Sequence, residues 1–335
     1  MGADPARGGP GTPAVAVLEP LHVEAMELLR RTVEVRCGAG VPVAGAAAIV
    51  TRGLGRVSAG TMEAAGPRLR CVARVGAGTD NIDVAAATRA GLPVFYAPDA
   101  FTEATAEHAL TLMLAVARRV PFLDGRVRAG DWAARAGPLG LDLGGRRLGI
   151  IGLGRIGRRF AELGRALGME VVAWSRAARD DRFPHTDLDR LLATSDVVSL
   201  HLPLSPETAG FLSRERIARM RRGAIVVNVS RGGLVDEDAL GAALAAGRLR
   251  GAGLDVLARE PPPPGHALYR LPQVVLTPHS AALTEAAFRR ACAEVVGAVL
   301  DHLAGRPAPG RLLRNPEVLR TDGTRGAGSA PGAGP

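Results

Sequence analysis

Lysine is absent from this chain. All 42 basic residues are arginine, and with 33 acidic residues they leave a formal net charge of +9. The arginines are spread along the chain instead of forming a block, and no basic helix or reader motif appears. That argues against the usual nucleic-acid-binding modules and reads as a compositional bias. Cysteine is scarce: Cys37, Cys71 and Cys292 form no C-x-x-C pair and no disulfide framework. This usage fits a reducing cytoplasm. The seven histidines show no ligand spacing such as H-E-x-x-H, so no metal is expected. No apolar run reaches membrane-spanning length, and no membrane association is expected. Residues 1–13 lack the apolar core of a secretion signal and read as a disordered N-terminus.

What is present is organised around residues 148–160. A short apolar run, 148–151, reads as a buried strand. It breaks into Gly152-x-Gly154-x-x-Gly157, and Ile156, Phe160, Leu163 and Leu167 then recur at helix spacing. Gly152 permits a tight turn, Gly154 lets backbone approach a pyrophosphate, and Gly157 lets the helix lie close to the strand. The phosphates would sit at the helix N-terminus, at Gly154, Arg155 and Ile156, where unpaired N–H groups favour anions. A glycine fingerprint alone is weak. Strand, turn, helix and a second strand at 171–174 together point to a dinucleotide site.

The 335 residues fit two domains or one large α/β unit. Before the fingerprint, strands are expected at 14–18, 33–36, 48–50, 70–75 and 93–96, and helices at 23–29 and 84–89. A long helical stretch, 102–123, follows, ended or kinked by Pro121. After the fingerprint, helices at 187–193, 213–220 and 236–246 alternate with strands at 197–202, 224–228, 251–256 and 274–276. Such alternation implies parallel sheets. A second long helix, 284–303, is expected to return the chain to its first unit. Residues 316–335 read as a disordered tail.

Three further motifs lie downstream. They are Val227-Asn228-Val229-Ser230-Arg231-Gly232-Gly233-Leu234-Val235-Asp236, Gly253-Leu254-Asp255-Val256-Leu257-Ala258-Arg259-Glu260-Pro261, and Thr277-Pro278-His279-Ser280-Ala281. With the fingerprint, they resemble the D-isomer-specific 2-hydroxyacid dehydrogenases over residues 14–315. The resemblance implies an α/β fold of two Rossmann-like or flavodoxin-like parallel-sheet domains. The substrate domain is split between both chain ends, at 14–119 and 286–315, around a dinucleotide-binding domain at 120–285. It places the active site in the cleft between them.

Family likeness also assigns roles. Arg231 matches the arginine that grips the substrate carboxylate in fork geometry and polarises the ketone. His279 matches the acid/base, and Glu260 the carboxylate that orients it. The turn at Gly76, Ala77 and Gly78 matches the substrate loop, with the Ala77 and Gly78 amides as carboxylate donors. Asp255 aligns with a residue near the nicotinamide carboxamide. Thr105, Thr208 and Asn228 are further cofactor-pocket candidates, and His108 and His201 read as core or supporting residues. The implied partners are a small 2-keto or 2-hydroxy acid and a second copy of the chain in a homodimer.

One position departs from the NAD-binding pattern. The carboxylate expected after the second strand, which binds the ribose 2′-hydroxyl, is replaced by Ser175 with Arg176 beside it. A hydroxyl and a guanidinium can hold a 2′-phosphate, so NADP(H) is expected to be preferred, with NAD(H) possible; Asp180 and Asp181 oppose this. The leading reading is a hydroxypyruvate or glyoxylate reductase. A 3-phosphoglycerate dehydrogenase, with Arg52 and Arg74 near the substrate loop, and a dinucleotide-sensing corepressor-like binding protein remain open.

Overall fold

The computed structural model describes residues 12–53 and 55–319. They divide into two compact units, one holding the described residues up to Phe101 and those from Glu285 onward, the other Thr102–Thr284.

In the first unit, β1 (Ala14–Val17), β2 (Glu34–Cys37), β3 (Ala48–Thr51), β4 (Cys71–Arg74) and β5 (Val94–Tyr96) form a sheet in the order β2-β1-β3-β4-β5. All its pairings are parallel. β1 and β3 are buried throughout, which is why they read as unbroken apolar runs: helices cover both faces. The crossovers include α1 (Val23–Thr32), α2 (Ala59–Ala65) and α3 (Val84–Arg89). The sequence reading missed α2, whose apolar face is only Met62 and Ala65; it starts at a capping box in which Ser58 and Thr61 satisfy each other's amides.

The second unit begins with α4 (Thr102–Arg118) and α5 (Val120–Arg128). They were expected as one stretch to residue 123. Arg119 instead takes a left-handed conformation (φ 57°) and ends α4, and Pro121 falls in the first turn of α5, where its missing N–H costs nothing. The sheet then comprises β6 (Arg147–Ile151), β7 (Glu170–Trp174), β8 (Val197–Leu200), β9 (Ile225–Asn228), β10 (Gly251–Leu254) and β11 (Val274–Leu276). The intervening helices are α6 (Arg155–Ala166), α7 (Leu188–Thr194), α8 (Arg214–Arg219) and α9 (Glu237–Ala245). The order is β11-β10-β9-β8-β6-β7, all parallel. The chain leaves β6 toward β7 on one side and returns to β8 on the other. This switch point leaves a crevice at the carboxyl ends of the strands, where doubly wound sheets bind ligands.

α4 belongs to this second unit. Leu112, Met113 and Val116 on its buried face join a core with Ile150, Phe160 and Val227. The boundary therefore falls at 101/102, where the sequence had suggested 119/120. The chain rejoins the first unit through α10 (Glu285–Leu303). Residues 313–315 then finish the sheet. Leu313 bridges Phe95 in antiparallel fashion, and the Asn315 side chain accepts from the Val94 amide (2.8 Å) and donates to Thr88 and Leu92. Pro316–Leu319, expected as the start of a disordered tail, forms a 3-10 turn with Val318 buried. The rest of that stretch, and residues 1–11, lie outside the described residues. No helix among the described residues is long and apolar enough to cross a membrane.

Candidate active site

β6 delivers the chain to the fingerprint. Gly152 sits at φ 99°, and a Cβ there would meet the His201 carbonyl oxygen at 2.5 Å. A Cβ on Gly157 would strike the Gly152 carbonyl, so this glycine lets α6 rest on the turn. Gly154 caps α6, is exposed, and has nothing within 4 Å of where a Cβ would stand. No side chain caps the helix. Its first amides, including those of Arg155 and Ile156, therefore lie at the positive end of the helix dipole with no side-chain cap over them. This cradle fits a pyrophosphate.

At the end of β7, Ser175 is half-buried and Arg176 is exposed. Arg176 makes no hydrogen bond or ion pair among the described residues. Arg179 donates to the Ser175 carbonyl at 2.7 Å. Asp180 is already engaged: Arg182 donates to it at 2.9 and 2.7 Å, and Arg158 lies 3.4 Å away. The Arg182 hydrogen bond, with the neighbouring charges, holds its carboxyl at about 2.

The loop after β9 carries Arg231. Asn228 is buried at its root, accepting from the Ser230 amide (3.0 Å) and donating to the Arg231 carbonyl (2.9 Å). Both ends of this carboxamide shape the loop, and one N–H and one lone pair stay uncommitted among the described residues. The Arg231 guanidinium turns back to the Ser230 carbonyl at 2.7 Å and remains partly exposed. Gly232 lies flat against the backbone of Leu257 and Ala258, where any side chain would collide, and this brings the Arg231 and Glu260 loops together.

Glu260 and His279 meet across these loops, with Glu260 Oε2 2.6 Å from His279 Nδ1. Its other oxygen accepts from the Leu257 amide at 3.1 Å. Partial burial pushes the Glu260 carboxyl up. The His279 hydrogen bond and charge, the Leu257 amide and the charge of Arg231 together outweigh that, and the net shift is below the usual glutamate value. A second carboxylate supports the loop, since Glu237 accepts from the Ala258 amide at 2.6 Å and faces His266 at 3.1 Å.

His279 itself is left-handed (φ 53°), a conformation that a non-glycine residue holds only when its surroundings impose it. Asp255 imposes it. The Asp255 carbonyl accepts from the His279 amide at 2.8 Å. Its carboxylate, fully buried, accepts from Thr277 (2.6 Å), the Ser280 amide (2.8 Å) and the Ala281 amide (2.9 Å). His108 on α4 reaches Thr277 Oγ1 at 2.9 Å. Motif reading found Asp255 and His279 but missed Glu237 and the task of Gly232, which lies within the first motif. No local pattern marks these, because their partners are 21 or more residues away.

Thr208 is buried, with its hydroxyl donating to the Pro203 carbonyl (2.6 Å) and accepting from the Ser205 amide (2.8 Å). Its hydroxyl proton is committed to closing its own loop. Thr105 is buried near the start of α4. His201 is partly exposed, but its ring packs against Phe160 with Nε2 2.9 Å from Ser199, and desolvation of the ring lowers its pKa to about 3, so it stays neutral. In the first unit, the turn after β4 leaves Ala77 exposed, and the Ala77 and Gly78 amides make no hydrogen bond among the described residues. The Arg74 side chain folds over that turn onto the Gly78 carbonyl.

Residues 110–281 match the family model for the D-isomer specific 2-hydroxyacid dehydrogenase NAD binding domain. The chain is 42% identical over 286 residues to a D-3-phosphoglycerate dehydrogenase of Archaeoglobus fulgidus, covering 82% of this chain and 54% of that protein. It therefore spans about half the length of that relative. It is 42% identical over 272 residues to a glyoxylate reductase of Korarchaeum cryptofilum, covering 79% of this chain and 81% of that one. A Thermus thermophilus protein of known structure superposes with a TM-score of 0.84 at 42% identity, covering 88% of this chain and 98% of its own.

Proposed function

The chain belongs to the D-isomer-specific 2-hydroxyacid dehydrogenases, and from that premise we propose that it reduces a small 2-keto acid, glyoxylate or hydroxypyruvate, with NADPH as the preferred cofactor. The observation that carries this reading is the His279–Glu260 pair at 2.6 Å, beside the loop of Arg231. Glu260 occupies Nδ1 and so leaves Nε2 to give a proton to the forming alkoxide. Arg231 has the planar fork that binds a carboxylate and polarises the adjacent ketone. The Ala77 and Gly78 amides would add donors to the same carboxylate. The bound nicotinamide supplies the hydride. The test is loss of reduced-cofactor absorbance with glyoxylate, hydroxypyruvate, pyruvate and a bulky aromatic 2-keto acid. Turnover of the small acids supports the proposal, and none on any acid overturns it.

The NADPH preference rests on charge. Arg176 makes no hydrogen bond or ion pair among the described residues, its charge acting on Glu207, and Asp180 is held by Arg182 and Arg158. The local field therefore favours a 2′-phosphate despite the nearby carboxylates. Changing Ser175→Asp and Arg176→Ala together should move the NADPH:NADH ratio of kcat/KM toward NADH by about tenfold to a hundredfold. An unchanged ratio would sink the assignment.

A second reading, 3-phosphoglycerate oxidation, is favoured by the phosphoglycerate dehydrogenase relative. Arg52 would be a phosphate ligand in it, but its guanidinium already stacks on Phe288 at 4.4 Å and donates to the Pro20 carbonyl at 3.0 Å. Parallel assays with 3-phosphoglycerate and either oxidised cofactor decide between the two.

A homodimer is part of the proposal. α5 buries none of its residues within the chain, and Val120, Val127, Trp132 and Leu139 are 50–82% exposed. Such an apolar surface suits a second copy. Light scattering should return twice the chain mass, and a monomer would refute this.

A further inference from the structure

α4 and β10 pack in a register set by glycine. A Cβ on Gly251 would meet Val116 at 2.5 Å, and one on Gly253 would meet Leu112 at 2.8 Å. Two residues along a strand advance about 6.6 Å and one helical turn about 5.4 Å, so the two elements stay nearly in step. The next step brings Asp255 opposite the residue one turn before Leu112, which is His108. Its Nε2 lies 3.5 Å from Asp255 Oδ1 and 2.9 Å from Thr277 Oγ1.

The protons in this cluster can be assigned. Thr277 has one hydroxyl proton, and it goes to Asp255 Oδ1 at 2.6 Å. An ionised carboxylate only accepts, so the remaining contact of Thr277 Oγ1 must be filled by a donor. His108 Nε2–H is that donor. The chain of hydrogen bonds runs from His108 through Thr277 to Asp255, and Asp255 in turn holds the amides of His279, Ser280 and Ala281.

We infer that His108 is a positioning residue for His279: it fixes the Thr277 hydroxyl on Asp255 and so holds the left-handed turn that aims the imidazole. This rests on the proposed acid role of His279. His108 touches neither Glu260 nor Arg231, so its effect reaches the reaction only through the turn. Hydrogen bonds linked in series inside a dry site reinforce one another, and losing the first loosens the rest.

The test compares His108→Leu, which fills the space without a donor, with His108→Gln, which restores an N–H at similar reach. Leucine should lower kcat about tenfold with little change in KM, and should speed amide hydrogen exchange across residues 277–281. Glutamine should restore most of both. The exchange readout needs no substrate. If the wild type reduces no keto acid, the functional reading fails while the positioning role is still judged. Wild-type exchange in His108→Leu would overturn the inference. So would equal losses in both variants accompanied by a general fall in melting temperature, which would mark a packing role only.

Discussion

Replacing His279 with asparagine is expected to lower keto-acid reduction by roughly two to four orders of magnitude while leaving cofactor affinity near wild type. Asparagine is the informative choice because of the backbone. At φ 53°, alanine would add strain, whereas asparagine tolerates the left-handed region and keeps the turn on Asp255. What is lost is then the proton at Nε2 and not the loop. Steady-state kinetics with fluorescence titration of NADPH checks both halves, and retained turnover would remove His279 from the chemistry. The pH profile adds a second reading. Glu260 is held below the usual glutamate range, so it remains an ionised partner above that lowered value. Activity that depends on the pair should persist through mildly acid pH and fall only as the pH drops through that value.

Replacing Arg231 with glutamine should cost about a thousandfold in kcat/KM, or about 4 kcal/mol of transition-state stabilisation. The size follows from two losses at once: the charge-assisted fork on the carboxylate and the cation beside the ketone oxygen. Arg231→Lys should recover only part, since an ammonium keeps the charge but not the planar pair of donors. If Arg231 served only to bind, KM alone would rise. A fall in kcat places it at the reacting carbonyl. There is also an electrostatic signature, because the charge of Arg231 helps hold the Glu260 carboxyl down. In Arg231→Gln, the acid limb of the profile should therefore move to higher pH. An unmoved limb with unchanged kcat/KM would contradict the assigned role.

The parallel architecture was legible because buried strands announce themselves. Residues 148–151 and 224–227 are apolar on both faces, as strands covered by helices must be. The break at Arg119 was not legible, because its left-handed backbone carries no glycine to signal it. The residues facing one another in the candidate site were named by motif, but their tasks were only partly readable. Asn228 and Thr208 also hold their own loops through polar side chains, and a sequence does not say where a lone pair points. His108 and Thr277 are 169 residues apart, and only the glycine register of β10 against α4 brings them together.

The completion of β5 by Asn315 also sets an order of assembly. Val94 leaves the ribosome 221 residues before the side chain that accepts its amide. At ordinary rates of synthesis, roughly ten to forty seconds separate the two. The second unit is one unbroken run, and all of it has been made before α10 is. The unit begun earlier of the two is therefore the last able to finish folding. Until then it waits with one edge of its sheet unsealed, while the second unit has had time to fold.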